Sequence, residues 1–127
     1  MVWSMSKYVP LTFGCTGAPA TASFLTPGFA AINANEVQVP SGLQSQIYQF
    51  TVNQLVAPGG VLTVDYTVNI GGAASAATVT ITGVATTATY NGAVAVPAGS
   101  LLSIECTSAN VGTSSDVTAT LTLLRLV

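Results

Sequence analysis

This chain has very little charge, and that scarcity is its most informative feature. Its 127 residues include only two Lys and Arg, four Asp and Glu, and no histidine, while 50% are hydrophobic. Soluble monomers of this size usually carry about a quarter of their residues as charged side chains, which oppose association. We therefore expect much of the folded surface to be covered by copies of the chain or by a larger partner. Thr, Ser, Asn and Gln would solvate the rest.

The lack of histidine and the short supply of other titratable groups argue against an enzyme. In an enzyme, a few carboxylates, tyrosines and cysteines would have to act as the general acids and bases. Glu36, Asp65, Glu105 and Asp116 belong to four different predicted strands or strand ends, and no G-x-S-x-G motif occurs. We expect no catalytic residue, no cofactor and no resident metal. One alternative stays open, in which carboxylates meet across a trimer axis and bind calcium.

Two further absences exclude other classes of partner. Phosphate neutralisation needs clustered Lys and Arg, whereas Lys7 and Arg125 lie at opposite ends of the chain. The unbroken apolar stretches, such as 123–127 with Arg125 inside it, fall far short of the ~20 residues of a membrane-spanning helix. We expect neither a nucleic-acid partner nor a membrane partner.

Cysteine is scarce as well, and its spacing supports no metal or redox site. Cys15 and Cys106 are far apart and outside any CxxC motif. Cys106 alternates with Leu102 and Ile104, a pattern that predicts a buried small hydrophobe in a strand. Reduced thiols are favoured for a cytoplasmic product, and a Cys15–Cys106 bridge stays open if assembly ends outside the cell.

What the chain does contain is a hydrophobic pattern of period two. Apolar residues alternate with Thr, Asp or Asn from Val61 to Ile70, and similar alternation recurs at 77–82 and 117–123. This is the pattern of half-buried strands, and threonine suits their outward faces because its branched carbon fits the pleat. No segment favours a helix. The alternation predicts the following core residues: Leu62, Val64, Val68, Ile81, Leu102, Ile104 and Leu121.

Turn residues divide the alternating segments into short strands. The predicted turns are 57–60, 71–72, 91–92, 97–100 and 110–112, where Gly, Pro and Asn supply the backbone angles that tight turns need. The strands are predicted near 21–25, 36–40, 43–53, 61–70, 76–82, 84–90, 93–96, 100–107 and 116–126. Eight or so short strands at this spacing predict an all-β fold, with a single antiparallel β-sandwich or barrel over residues 21–127.

The first twenty residues differ from the rest. They show no sustained alternation, and prolines and glycines interrupt them. They contain Trp3, Tyr8 and Phe13, side chains large enough to anchor an interface. We predict that residues 1–20 form an extended, irregular arm that attaches the domain to its partner through these three aromatics. The alternative is that the arm packs on its own sheet as an extra edge strand.

The segment from Phe24 to Val127 resembles the small single-domain jelly rolls related to tumour necrosis factor and complement C1q. It is most similar to those of tailed-bacteriophage structural proteins and of the C-terminal domain of the BclA exosporium glycoprotein. The motifs that carry the resemblance are structural: FLTPG at 24–28, VP at 39–40, APGG at 57–60, VLTVDYTVNIGG at 61–72, ATVTITG at 77–83, VAVPAGSLLSIECTS at 94–108 and DVTATLTLLRL at 116–126. Relatives commonly have Asp after the VPAG turn, where this chain has Ser100.

The resemblance implies an antiparallel jelly-roll sandwich that assembles as a homotrimer. It further implies a virion structural protein made in the host cytoplasm: a capsid decoration (cement) protein that binds the major capsid protein on the outer surface of a phage head. The alternative is the trimeric knob of a head fibre, tail fibre or spore-surface filament, which would bind a host glycan or protein. Fibre tips usually end a chain with a repetitive shaft, and no repeat occurs here. The decoration role is therefore favoured.

Overall fold

The structure, a computed structural model, describes residues 7–109 and 115–126, and their regular secondary structure is entirely β. The strands in these ranges are β1 (Tyr8–Cys15), β2 (Ser23–Phe24), β3 (Val39–Pro40), β4 (Ser45–Val56), β5 (Thr63–Ile70), β6 (Ala73–Thr82), β7 (Thr87–Val96), β8 (Leu101–Ala109) and β9 (Ser115–Arg125). The prediction of an all-β chain is confirmed. Across the same ranges, no helix is long and apolar enough to cross a bilayer.

The strands form two antiparallel sheets, one with the order β1-β9-β4-β7 and one with the order β2-β8-β5-β6, in which β3 also pairs with β8. The pairing has a simple rule: β1 pairs with β9, β2 and β3 with β8, β4 with β7, and β5 with β6. Each strand before Gly71 therefore meets one that follows it. Gly71 and Gly72, with φ of 60° and 81°, form the turn at the tip. The chain is one long antiparallel ribbon folded back at this turn.

The inward side chains of both sheets form one hydrophobic cluster. Six of the seven predicted core residues are fully buried, which confirms the strand register: Val64, Val68, Ile81, Leu102, Ile104 and Leu121. The prediction is wrong for Leu62, which is only half-buried. Leu62 precedes β5 and belongs to the adjoining turn, where its N–H donates to Gly59 O at 3.1 Å and its carbonyl accepts from Gly83 N at 3.0 Å.

Residues 8–15 are not an irregular arm but the strand β1, at the edge of the four-stranded sheet. They pair with β9 without a break, from Tyr8 opposite Leu124 to Cys15 opposite Val117. Pro10 does not interrupt this strand. Pro10 and Gly14 are in phase on β1, so their backbone groups face the same side of the strand. The N–H and carbonyl of Gly14 bond to Thr26, on the side of β1 away from β9. A backbone N–H at Pro10 would face that side too, so its absence removes no hydrogen bond to β9. The arm prediction is wrong for these residues, and the edge-strand alternative describes them.

The predicted turn at Asn91-Gly92 is also wrong, because both residues lie inside the single strand β7. The register between β4 and β7 shifts there, between Ile47 and Gln49, and the same shift occurs against β9. Gln49 Nε2 donates to Asn91 Oδ1 at 3.1 Å across this irregularity. The glycine therefore accompanies a bulge between paired strands and not a chain reversal.

Candidate functional site

The outward side of the β1-β9-β4-β7 sheet carries a row of four threonines that crosses all four strands. The register aligns them as Thr12, Thr120, Thr51 and Thr89. The hydroxyls of Thr51 and Thr89 are 3.0 Å apart and share a hydrogen bond. These residues are distant in sequence, and only the sheet brings them into line.

Two further rows extend this surface toward the start of β1. One consists of Pro10, Thr122, Gln49 and Asn91, and the other of Tyr8, Leu124, Gln46 and Ala95. None of the twelve side chains in the three rows is charged. We call this surface, made of the three rows together with Tyr48, the uncharged face.

An aromatic pair marks one corner of the uncharged face. The rings of Tyr8 and Tyr48 lie 5.0 Å apart at an interplanar angle of 61°, an edge-to-face contact. Tyr8 is 46% exposed and Tyr48 is 45% exposed. Tyr48 projects here because it sits at the β4 bulge, between Ile47 and Gln49. Two half-exposed aromatic rings on an uncharged surface are well suited to be interface anchors.

The three predicted attachment residues do not form one site. Phe13 is 1% exposed and belongs to the hydrophobic core, so its assignment to attachment is wrong. It is in phase with Cys15 on β1, and both side chains are buried in the core cluster. Tyr8 lies on the uncharged face, and Trp3 lies outside the described residues.

The outward side of the β2-β8-β5-β6 sheet has the opposite character. It carries three carboxylates, those of Glu36, Asp65 and Glu105, and we call it the acidic face. Glu36 Oε2 accepts a hydrogen bond from Ser103 Oγ at 2.6 Å, Glu105 Oε1 accepts one from Asn69 Nδ2 at 3.0 Å, and Asp65 accepts one from Thr80. Asp116 is elsewhere, at the start of β9, where it accepts the N–H of Gly17 at 2.8 Å.

One end of the molecule exposes aliphatic side chains. Leu55, Val61 and Val84 are 74%, 92% and 90% exposed. The loops that carry Val61 and Val84 are held together by the hydrogen bond from Gly59 N to Gly83 O, at 2.7 Å. We call these three residues the apolar end. Sequence analysis missed them because a valine beside a turn glycine looks the same as a valine that enters a strand.

The two cysteines are buried free thiols, which confirms the predicted burial of Cys106. Burial, with a smaller contribution from Cys15, raises the pKa of Cys106 from 9.0 to about 12. Burial also raises the pKa of the Cys15 thiol. Both remain protonated near neutral pH, and a protonated thiol is a poor nucleophile and a poor metal ligand.

The described part of the chain therefore offers surfaces for contact. In residues 7–109 and 115–126 there is no group of three or more His, Cys, Asp or Glu side chains positioned to hold a metal ion. No protein-family model matches the chain, and no curated protein does. The candidate contact surfaces are the uncharged face, the acidic face and the apolar end.

Proposed function

We propose that this chain is a homotrimeric capsid decoration (cement) protein, a jelly-roll sandwich whose trimers cover a phage head and stabilise its lattice. The observation that carries the proposal is the contrast between the two outward surfaces. The uncharged face presents twelve neutral side chains in register, whereas the acidic face carries three of the four carboxylates of the chain. The uncharged face suits contact with a copy of the chain, and the acidic face suits contact with water.

The strand pairing supports the jelly-roll part of the proposal. A jelly roll is an antiparallel ribbon wrapped so that its paired strands alternate between two sheets, which gives two Greek keys. Here β1 and β9 lie in one sheet, β2 and β3 with β8 in the other, β4 and β7 in the first again, and β5 and β6 in the second. The single core cluster, with members from both sheets, is what two facing sheets would enclose.

The edges of the sheets favour a ring over a two-fold dimer. β6 and β7 are edge strands of ten residues each, with neither proline nor charge. The edge opposite β7 is protected, since β1 contains Pro10 and its Gly14 exchanges two backbone hydrogen bonds with Thr26. Each subunit thus has two different uncharged surfaces, a face and an edge. A face that binds the edge of the next copy makes a heterologous contact, which forms a ring when the rotation between copies closes, and the resemblance implies a ring of three.

The apolar end supplies the proposed contact with the major capsid protein. Leu55, Val61 and Val84 lie in or beside the loops at the strand ends, so a trimer that buries the uncharged face leaves much of their surface bare. One trimer presents three such ends. Once the first end is bound, binding of the other two is effectively intramolecular, so modest individual contacts give durable attachment. A ligand that binds only the assembled lattice opposes its disassembly by mass action.

Equilibrium sedimentation tests the trimer. We expect the wild-type chain to be trimeric at micromolar concentration and the double variant Thr51→Lys/Thr120→Lys to be a folded monomer, because two charges at the centre of the uncharged face would have to be desolvated. The matched control is Asn35→Lys/Gln38→Lys, at two exposed residues of the loop before β3, outside the uncharged face and the edge strands, which should leave the trimer intact. A monomeric wild type, or equal dissociation of the control, contradicts the proposal.

A virion reconstruction tests the location. Density for the trimer on the outer surface of the head is the expected result. Density at the tip of a head or tail fibre would support the knob alternative in its place.

A further inference from the structure

Asn69 is the most unusual polar residue of the acidic face. It lies on β5 opposite Ser103 of β8 and is only 4% exposed. Its Nδ2 donates to Glu105 Oε1 at 3.0 Å, but its Oδ1 is buried and accepts no hydrogen bond in the structure. A buried acceptor without a donor is uncommon in folded proteins and costs free energy. An electropositive partner for this oxygen would remove that cost.

Two carboxylates lie near Asn69 on this face. Glu105 Oε1 accepts the hydrogen bond of Asn69 Nδ2, so this carboxylate lies beside the same carboxamide group that carries Oδ1. The next carboxylate along this face is that of Glu36, held over the neighbouring Ser103 by a hydrogen bond of 2.6 Å. The other oxygen of Glu36, Oε1, lies beside Gly72 and would be 3.8 Å from a Cβ placed there. Because glycine has no side chain, there is space next to this oxygen.

No cationic side chain balances these charges. The chain has two cationic side chains, Lys7 and Arg125. Arg125 ends β9 of the other sheet, and its N–H donates to the carbonyl of Lys7 beside it. Glu36 and Glu105 accept hydrogen bonds from the neutral side chains of Ser103 and Asn69.

We propose that Asn69 Oδ1, Glu36 and Glu105 form a divalent-cation site, with Ca²⁺ as its ligand and water completing the coordination. Carboxylate and amide oxygens are the donors that hard cations take. The three residues come from three separate segments, the loop before β3, β5 and β8. Such a set tolerates the irregular, six- to eight-fold coordination of Ca²⁺ better than the strict octahedron of Mg²⁺. With two charged ligands, the expected Kd is weak, about 10⁻⁴–10⁻³ M.

Calorimetric titration of chelator-treated protein with CaCl2, together with thermal melts in about 10 mM Ca²⁺, tests the site. We expect one Ca²⁺ per chain and a rise in Tm of roughly 4–13 °C, because this Ca²⁺ concentration exceeds the expected Kd by about 10- to 100-fold. Glu36→Gln and Glu105→Gln should each lower the affinity by about tenfold or more. Both variants keep an acceptor for the existing hydrogen bond and should fold. Asp65→Asn is the matched control, since it removes a carboxylate from the same face, one bonded to Thr80, and it should bind as the wild type does.

The outcomes that overturn the proposal are distinct. No binding heat and no rise in Tm would mean that Asn69 Oδ1 is satisfied by water alone. If Asp65→Asn and Glu105→Gln lowered the affinity for Ca²⁺ equally, Ca²⁺ would only be screening an acidic surface. An equal effect of Mg²⁺ on Tm would mean the same. The site lies within one chain, so the Thr51→Lys/Thr120→Lys variant should also bind Ca²⁺. The result is therefore independent of whether the chain forms a trimer.

Discussion

At the scale of single residues, inward and outward neighbours on one strand should differ sharply in their contribution to stability. Ile81 is fully buried, and Thr82 beside it on β6 is exposed. Ile81→Ala should lower the free energy of unfolding by about 2–5 kcal/mol through lost transfer energy and a cavity, whereas Thr82→Ala should change it by about 0.5 kcal/mol or less. Urea titration measures both. A larger loss for Thr82→Ala than for Ile81→Ala would mean that the faces of β6 are exchanged, as a one-residue slip would do.

Gly14 is a position where any side chain should be costly. A Cβ there would overlap the ring of Phe29 and come within 2.6 Å of the backbone oxygen of Val117. Gly14→Ala should therefore destabilise the fold by about 1–3 kcal/mol, the usual cost of overpacking. The additional change Phe29→Ala should restore only part of this loss, because the contact with Val117 remains. Gly28→Ala is the control, since a Cβ at Gly28 meets nothing within 4 Å, and unchanged thermal melts are expected for it.

The buried thiol of Cys106 should make the fold sensitive to alkali. Its pKa is near 9.0 in the unfolded chain and about 12 in the fold, so its contribution to stability is complete below about pH 9 and is lost as the pH rises toward 12. The slope expected from one thiol is about 1.4 kcal/mol per pH unit. Between about pH 9 and pH 11, which lies between these two pKa values, the free energy of unfolding should fall less steeply in Cys106→Ala than in the wild type. An unchanged slope in the variant would contradict this assignment.

At the scale of elements, β1 is the strand whose role changes most between sequence and structure. It supplies Phe13 and Cys15 to the core and covers the edge of β9. Loss of Phe13 alone should cost about 3–5 kcal/mol, a large part of the usual total of 5–15 kcal/mol. Deletion of residues 1–20 should therefore abolish the cooperative melt followed by circular dichroism. Thr12→Ala, at an exposed residue of the same strand, is the control and should leave Tm nearly unchanged.

The elements that sequence reasoning placed correctly are those whose pattern is local. Alternation of period two at 61–70 and 77–82 predicts strands with one buried side, and β6 shows this burial pattern from Ala77 to Thr82. β1 was missed because Pro10 looks like a breaker until the strand is known to lie at an edge. Asn91-Gly92 predicts a turn from its own sequence, whereas a bulge depends on the partner strand, which the sequence of β7 does not contain.

At the scale of the whole molecule, much of the core could be predicted and the surfaces could not. Six of the seven predicted core residues follow from the alternation in their own strands, but the threonine row of the uncharged face joins β1, β9, β4 and β7. Its alignment depends on three separate registers. Asn69 is similar, since its neighbours Glu36 and Glu105 come from segments far apart in the sequence. Low charge predicted that some surface is covered, and only the folded chain identifies the surface that lacks charge.

The apolar end gives the sharpest test of the proposed capsid contact. Val61→Ser/Val84→Ser should leave Tm and the trimer unchanged, because both side chains are about nine-tenths exposed and exposed sites usually change stability by about 0.5 kcal/mol or less. The same variant should co-sediment with undecorated capsids far more weakly than the wild type, since each trimer loses six aliphatic contacts and avidity multiplies the loss. Thr78→Ser/Thr82→Ser, on exposed threonines of β6, is the matched control and should bind fully. If the valine variant bound capsids at wild-type occupancy, the apolar end would not be the contact, and the Tyr8–Tyr48 pair or Trp3 would be the next candidate.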